Sequence, residues 1–188
     1  MQKPKDEVRQ AILDAALDEF YIYGFKRASI RNIAERAGIT PGNVYCYFGG
    51  KAELYSAVLE QTMEELNRLV RMAVRRENSR VLSIENMAKG VTELFLKNRK
   101  QFLILVNGSA GSRYENAKGE LIRIASLRIE LEYIPLLPEE KRDPLLSDML
   151  AAAAVEGILT VLVRYDGDRE RLYGLVSALI NQLFGTGN

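Results

Sequence analysis

Residues 29–51 read SIRNIAERAGITPGNVYCYFGGK, two short helical segments joined by a tight turn and followed by a cation. Ser29 has the side chain of a helix N-cap, and Ile30, Ile33, Ala34 and Ala37 recur behind it at helical spacing, an apolar stripe about one face wide. Gly38 ends that helix, because only glycine enters the left-handed conformation without steric cost. Thr40-Pro41 opens the next: a threonine hydroxyl can accept an orphan backbone N–H, and proline at the first helical position has its φ already set. This second helix is expected over Pro41 to Phe48. Val44 and Phe48, one turn apart, belong on the side that packs against the first helix.

The opposite face carries Gly42, Asn43, Cys46 and Tyr47, with Tyr45 near the boundary: small residues, an amide and phenols rather than charge. Such a surface can enter a DNA groove. Small residues at the helix start let the backbone approach base edges, an asparagine can pair with adenine, and tyrosine hydroxyls can reach phosphates. Lys51 at the head of the following helix would join a cation to free backbone N–H groups, the makings of a phosphate site. Taken singly, Asn43 is equally a turn-favouring surface amide, and Tyr45 and Phe48 are equally core. Their order along the chain carries the argument: this is the arrangement of a DNA-reading helix-turn-helix.

Residues 8–60 resemble the DNA-binding domain of the tetracycline-repressor (TetR) family. The resemblance lies in Ile12, Ala15, Ala16, Phe20, Gly24 and Phe25 of a first helix, Ser29, Ile33, Ala34, Ala37 and Gly38 of the second helix and turn, and Tyr45, Phe48, Lys51 and Leu54 beyond. Two positions depart from the family pattern. Cys46 stands where an aromatic or larger polar residue is usual, and Gly49-Gly50 replaces a more polar pair, which is expected to loosen the entry to helix four. The resemblance implies DNA contacts from Ser29, Arg31, Thr40, Pro41, Gly42, Asn43, Tyr45, Cys46, Tyr47 and Lys51. At that position the Cys46 thiol should be accessible in the free protein.

With 188 residues, 47% of them hydrophobic, the chain can bury a substantial core and form one or two domains. No apolar run approaches the ~20 residues of a membrane span, and MQKPKDEVRQ at the N-terminus lacks the apolar segment of a secretion signal, so a cytoplasmic location is expected. One cysteine and no histidine leave little basis for zinc. Neither a nucleophile-base set nor a phosphate-cradling glycine loop is present, so catalysis, metals and cofactors are not expected. The net charge of +1 hides a gradient: residues 1–51 carry +2 and residues 81–188 carry −1. Lys3, Lys5, Arg27, Arg31 and Lys51 could therefore form a local basic patch, doubled in a dimer, while nonspecific DNA binding stays weak.

Around the motif, Val8, Ile12, Ala15, Ala16, Leu17 and Phe20 predict a first helix closed by Gly24. Residues 51–76 predict one long helix with Leu54, Val58, Met63, Leu66, Leu69 and Val70 on its apolar side, a connector out of the DNA-binding domain. Helical periodicity continues over roughly 83–97, 99–109, 114–134, 143–165 and 169–185, with breaks at Glu77-Asn78-Ser79, Gly108 to Ser112, Pro135 to Pro138 and Asp166-Gly167-Asp168. The expected fold is all-α: a three-helix DNA-binding domain at 1–51, connecting helix four at 51–76, and a ligand-binding and dimerisation bundle at 77–188.

The resemblance further implies that the last two helices pair with those of a second copy. Ala151 to Ala154, Gly157 and Thr160 offer a small-residue face, and Leu172, Leu175, Val176, Leu179, Ile180 and Leu183 an apolar one; the expected dimer interface draws on Ala153 and Gly157 together with those six. The same residues could instead be intramolecular core. An effector pocket is also implied, with Asn107, Arg113, Tyr114 and Glu156 as candidates against their plainer reading as caps, salt bridges or surface groups. The Leu-, Ile-, Phe- and Met-rich surroundings favour an apolar or amphipathic small molecule. The function implied is a homodimeric, ligand-responsive repressor of a palindromic operator. The competing readings are a small-molecule-binding protein or a partner adaptor that retains a degenerate helix-turn-helix.

Overall fold

The computed structural model describes residues 5–74 and 82–184, all of whose regular elements are helices. They are α1 (Lys5–Arg27), α2 (Ile30–Ala37), α3 (Pro41–Tyr47), α4 (Lys51–Val74), α5 (Leu82–Lys97), α6 (Arg99–Asn107), α7 (Ala117–Glu132), α8 (Leu146–Val163) and α9 (Arg169–Phe184), with short 3-10 turns at Ile134–Leu136 and Glu139–Lys141. Lys3, the 77–79 break and the end of helix four at Arg76 lie outside the described residues, as do the side chains of Leu69 and Val70.

The chain divides into two units. The first comprises residues 1–64 together with 98–117, the second 65–97 with 118–188. The expected division at residue 77 placed α6 and its following loop with the C-terminal bundle. In the structure α6 packs on α1 instead. Two glycines make that contact close. Gly24 kinks α1 at φ 67°, ψ 169°, and the chain continues helically to Arg27 rather than closing there. The kink frees the Phe25 N–H to donate to the Gly108 carbonyl at 2.8 Å. A Cβ on Gly24 would approach that oxygen to 3.2 Å, and one on Gly108 would lie 3.0 Å from the Ile104 carbonyl, so a side chain at either position would press on a neighbouring backbone carbonyl.

Within the first unit Ile12, Ala16, Phe20, Ile33, Ala34, Val44, Leu54 and Leu59 are fully buried, the spacing that the apolar stripes required. Tyr55 joins them at 1% exposure, with Phe20 edge-on at 4.7 Å and Phe25 at 4.9 Å. Its hydroxyl, paired with Ser109 Oγ at 2.8 Å, lies 3.3 Å from the Ile104 carbonyl, so the loop after α6 is tied into the core of this unit. Burial pushes the Tyr55 phenol up to about 12, against the opposing pull of the Ser109 hydrogen bond.

In the second unit α5, α8 and α9 pack together. Ala151, Ala154, Ile158, Leu159 and Leu162 of α8 and Leu172, Val176 and Ile180 of α9 are buried. Among the described residues α8 is the one helix long and apolar enough to cross a membrane, an exception to the sequence expectation, with a mean hydropathy of 1.8. Its buried face serves the bundle core.

This packing changes the expected dimer face. Leu172, Val176 and Ile180 are turned into their own chain, so they are core and not available to a partner. Gly157 sits in the same packing: a Cβ there would lie 2.6 Å from Leu179 Cδ2 and would displace that side chain, so those two residues face each other inside one chain. Ala153 and Leu175 remain exposed, Leu183 is half-buried, and Met149 and Val163 add exposed apolar surface that the sequence pattern did not single out.

Candidate nucleic-acid interface

Three local devices hold α2 and α3 in place. Ser29 caps α2, its Oγ accepting from the Arg31 N–H at 3.2 Å. Gly38 takes the left-handed conformation at φ 68°, ψ 34° and ends the helix, while the Ile39 N–H returns to the Ala34 carbonyl at 3.0 Å. Thr40 caps α3 through Asn43 N–H at 3.3 Å, with Pro41 at the first turn. Each device satisfies backbone groups that helix ends leave bare.

A fourth device was not read from the sequence. Glu19 of α1 is fully buried, and its Oε1 accepts from the Ser29 N–H at 3.2 Å and from Asn32 Nδ2 at 3.0 Å. The other oxygen lies 3.5 Å from Arg36 Nε, an ion pair without a hydrogen bond. One carboxylate thus brackets both ends of α2 against α1. The signal was present: Glu19 follows Ile12 by seven residues and Ala15 by four, on the apolar side of α1 where a charge needs partners.

With Val44 at 0% and Phe48 at 3% exposure on the inner side, α3 presents Thr40, Pro41, Gly42, Asn43, Tyr45 and Cys46 to solvent, while Tyr47 is half-buried. Tyr45 is 57% exposed, which removes its alternative reading as core, whereas Phe48 is core. The Cys46 thiol is exposed, its sulfur 3.4 Å from the Gly42 carbonyl one turn earlier. Arg31 is exposed on α2, and Ser29 is half-buried because its backbone is engaged by Glu19. Most of these side chains are small or neutral and polar, of a kind that can approach base edges and phosphates.

Lys51 differs from its expected role. Its Nζ donates to the carbonyls of Ala28 at 3.1 Å and Lys26 at 3.3 Å, and lies 4.9 Å from the centre of the Phe25 ring. The ammonium therefore fastens the head of α4 to the α1–α2 junction, leaving one N–H for other use. The Gly49-Gly50 entry is also tighter than the glycines suggest, because the Glu53 carboxylate accepts from the Gly49 N–H at 2.8 Å.

The effector candidates are divided between the two units. Asn107, Arg113 and Tyr114 fall in the first unit and Glu156 in the second. Arg113 stacks on and bonds its neighbour Tyr114, with 4.7 Å from guanidinium carbon to ring centre, while Glu156 pairs with Lys118 at 2.8 Å.

An exposed, capped helix held on two supporting helices is the architecture of a helix-turn-helix. The profile of bacterial regulatory proteins of the tetR family matches residues 12–58, the stretch that builds this site. Over 61 residues the chain is 44% identical to the HTH-type transcriptional regulator SrpR of Pseudomonas putida, a match spanning 32% of this chain and 29% of that one. In fold, 98% of the chain superposes on all of a TetR-like transcriptional regulator from Rhodococcus sp. RHA1, with a TM-score of 0.68 at 21% identity. It also superposes on NalD, the secondary repressor of the MexAB-OprM multidrug efflux pump in Pseudomonas aeruginosa, with a TM-score of 0.60 and 22% identity over 97% of each chain. Residues 12–58 are thus a helix-turn-helix segment of the tetR type, and the chain spans less than a third of the length of the curated SrpR relative it matches.

Proposed function

We propose that this protein is a cytoplasmic, homodimeric transcriptional repressor that binds a palindromic operator through α3 and releases it when an apolar or amphipathic effector binds. The carrying observation is the exposed, uncharged face of α3 on a framework stapled by Ser29, Gly38, Thr40 and Glu19. Arg31, Thr40, Gly42, Asn43, Tyr45 and Tyr47 face the duplex in this reading. Asn43 reads a base, and Lys51 acts mainly by positioning the recognition unit, with its remaining N–H for phosphate. Ala153 and Leu175, with the exposed Met149 and Val163, form the centre of the face for the second copy.

Release needs a route from effector to α3, and α6 supplies one. Its loop is bonded to α1 through Phe25 and to α4 through Tyr55, so a shift of α6 would be felt by both supports of the recognition helix. Repression is the sense that NalD's description supports. Selection of bound sequences from a random DNA library, followed by anisotropy titration of the selected site, tests the reading. A palindromic consensus bound by two chains is expected. Failure to enrich any sequence at low salt would leave the partner-adaptor reading in its place.

A further inference from the structure

The start of α2 is capped by two helices at once. In a local capping box the N-cap serine accepts a backbone N–H of the first turn, and a Glu or Gln three residues on reaches back to the N–H of the cap residue. Ser29 fulfils the first half, its Oγ accepting from the Arg31 N–H at 3.2 Å. The second half comes from outside the helix. Three residues on stands Asn32, whose Nδ2 donates to Glu19 Oε1 at 3.0 Å, and the same oxygen takes the Ser29 N–H at 3.2 Å. Glu19 therefore supplies from α1 the acceptor that α2 does not supply for itself.

This carboxylate is fully buried, and its second oxygen is turned toward Arg36, with Nε at 3.5 Å. Asn32 and Arg36 are one turn apart on the same side of α2. A cap drawn from within α2 would fix where that helix begins and leave its bearing on α1 to the buried Ile33 and Ala34, whose apolar contact is non-directional. Hydrogen bonds to Glu19 hold an angle as well as a distance. That bearing passes on to α3, because the Ile39 N–H returns to the Ala34 carbonyl at 3.0 Å and Thr40 then caps α3 through the Asn43 N–H. All of these residues belong to the first unit.

We propose that Glu19 is a positioning residue for DNA binding, which sets the angle of α2, and through it of α3, by capping α2 from the neighbouring helix. The inference rests on the reading of α3 as the recognition helix. Recognition side chains tolerate displacements of only about 0.5 Å or 10–20°, so a folded protein with a loosened α2 binds DNA weakly.

Anisotropy titration of the full chain on the site selected from a random DNA library tests this, with urea melts of every variant and binding read where each is folded. Glu19→Gln keeps an oxygen for the Ser29 and Asn32 N–H groups and should bind within about threefold of the wild type. Glu19→Leu removes that oxygen and should lose both stability and about tenfold in affinity. The deciding variant is Glu19→Leu with Asn32→Glu, which closes the capping box inside α2 and frees the helix from α1. It should regain stability over Glu19→Leu and keep the affinity loss. Recovery of affinity together with stability makes Glu19 a cap only and overturns the proposal, as does full-strength binding by folded Glu19→Leu. Should Glu19→Leu fail to fold, the double variant and Glu19→Gln carry the comparison, and equal affinity of the two overturns the proposal. A wild type that selects no site removes the DNA-binding reading itself, an outcome distinct from any difference among the variants.

Discussion

The α2–α3 turn and the α8–α9 pair present the same kind of pattern, short apolar periodicity broken by small residues, and the structure treats them differently. In the turn the helix ends and the inward side follow from local rules: a cap at Ser29, a left-handed glycine at Gly38, a cap at Thr40, and Val44 with Phe48 inward. In α9 the residues expected to meet a second copy at Leu172, Val176 and Ile180 meet the chain's own α5 and α8. Capping acts over three or four residues, where the sequence specifies the partner. An apolar stripe says only that something covers it.

The contrast breaks most forcefully at two neighbouring residues of α9. Val176→Asp puts a carboxylate into an apolar core and should cost several kcal/mol, about 4, abolishing the cooperative melt of the C-terminal unit. Leu175→Asp, 44% exposed, should leave the melting temperature of the isolated chain nearly unchanged while shifting light scattering from a dimer to a 21.2 kDa monomer. If both variants merely unfold, or both remain dimeric, the assignment of inner and outer faces on α9 is wrong.

In the first unit the strongest test is Glu19→Ala, which strands the Ser29 N–H and Asn32 amide and should destabilise by about 2–3 kcal/mol in urea titration. Loss below about 0.5 kcal/mol would show that the bracket on α2 is ornamental. A comparable effect, on the order of 2 kcal/mol, is expected from pH through Tyr55. Its folded pKa of about 12 exceeds the ordinary 10, so stability is intact below pH 10 and falls as pH rises toward 12, where the unfolded phenol ionises and the folded one does not. Tyr55→Phe should flatten that fall.

Lys51→Met removes two carbonyl contacts and should lower stability by about 1 kcal/mol while weakening binding to all DNA sequences. The salt slope separates the two roles: a drop of about one unit indicates a phosphate contact, an unchanged slope a positioning residue. The smallest stability effect belongs to Asn43→Ala, within about 0.5 kcal/mol because the side chain is exposed, yet discrimination at one base pair should fall by about 1–3 kcal/mol. An unchanged base preference would move recognition to Tyr45 or Arg31.

Much of the candidate site was legible because its residues are local. The order Ser29, Gly38, Thr40-Pro41, Val44, Phe48 specifies two helices and the sides they hide, and helix existence along 82–184 followed from period alone. The roles of Glu19, Lys51 and Glu53 were not legible, since each is decided by a partner's position in space: Lys51 reaches carbonyls more than twenty residues away, and Glu19 spans ten to thirteen residues to Ser29 and Asn32. The attachment of α6 to α1 through Gly24 and Gly108 joins residues far apart in the chain at a close backbone approach that no side-chain pattern advertises. By itself the sequence determined the helices and the exposed side of α3, because caps and periodicity act within a turn or two. Which apolar stripe became core, which cation was already engaged and which unit received α6 were decided by tertiary packing, because those outcomes depend on what each surface meets.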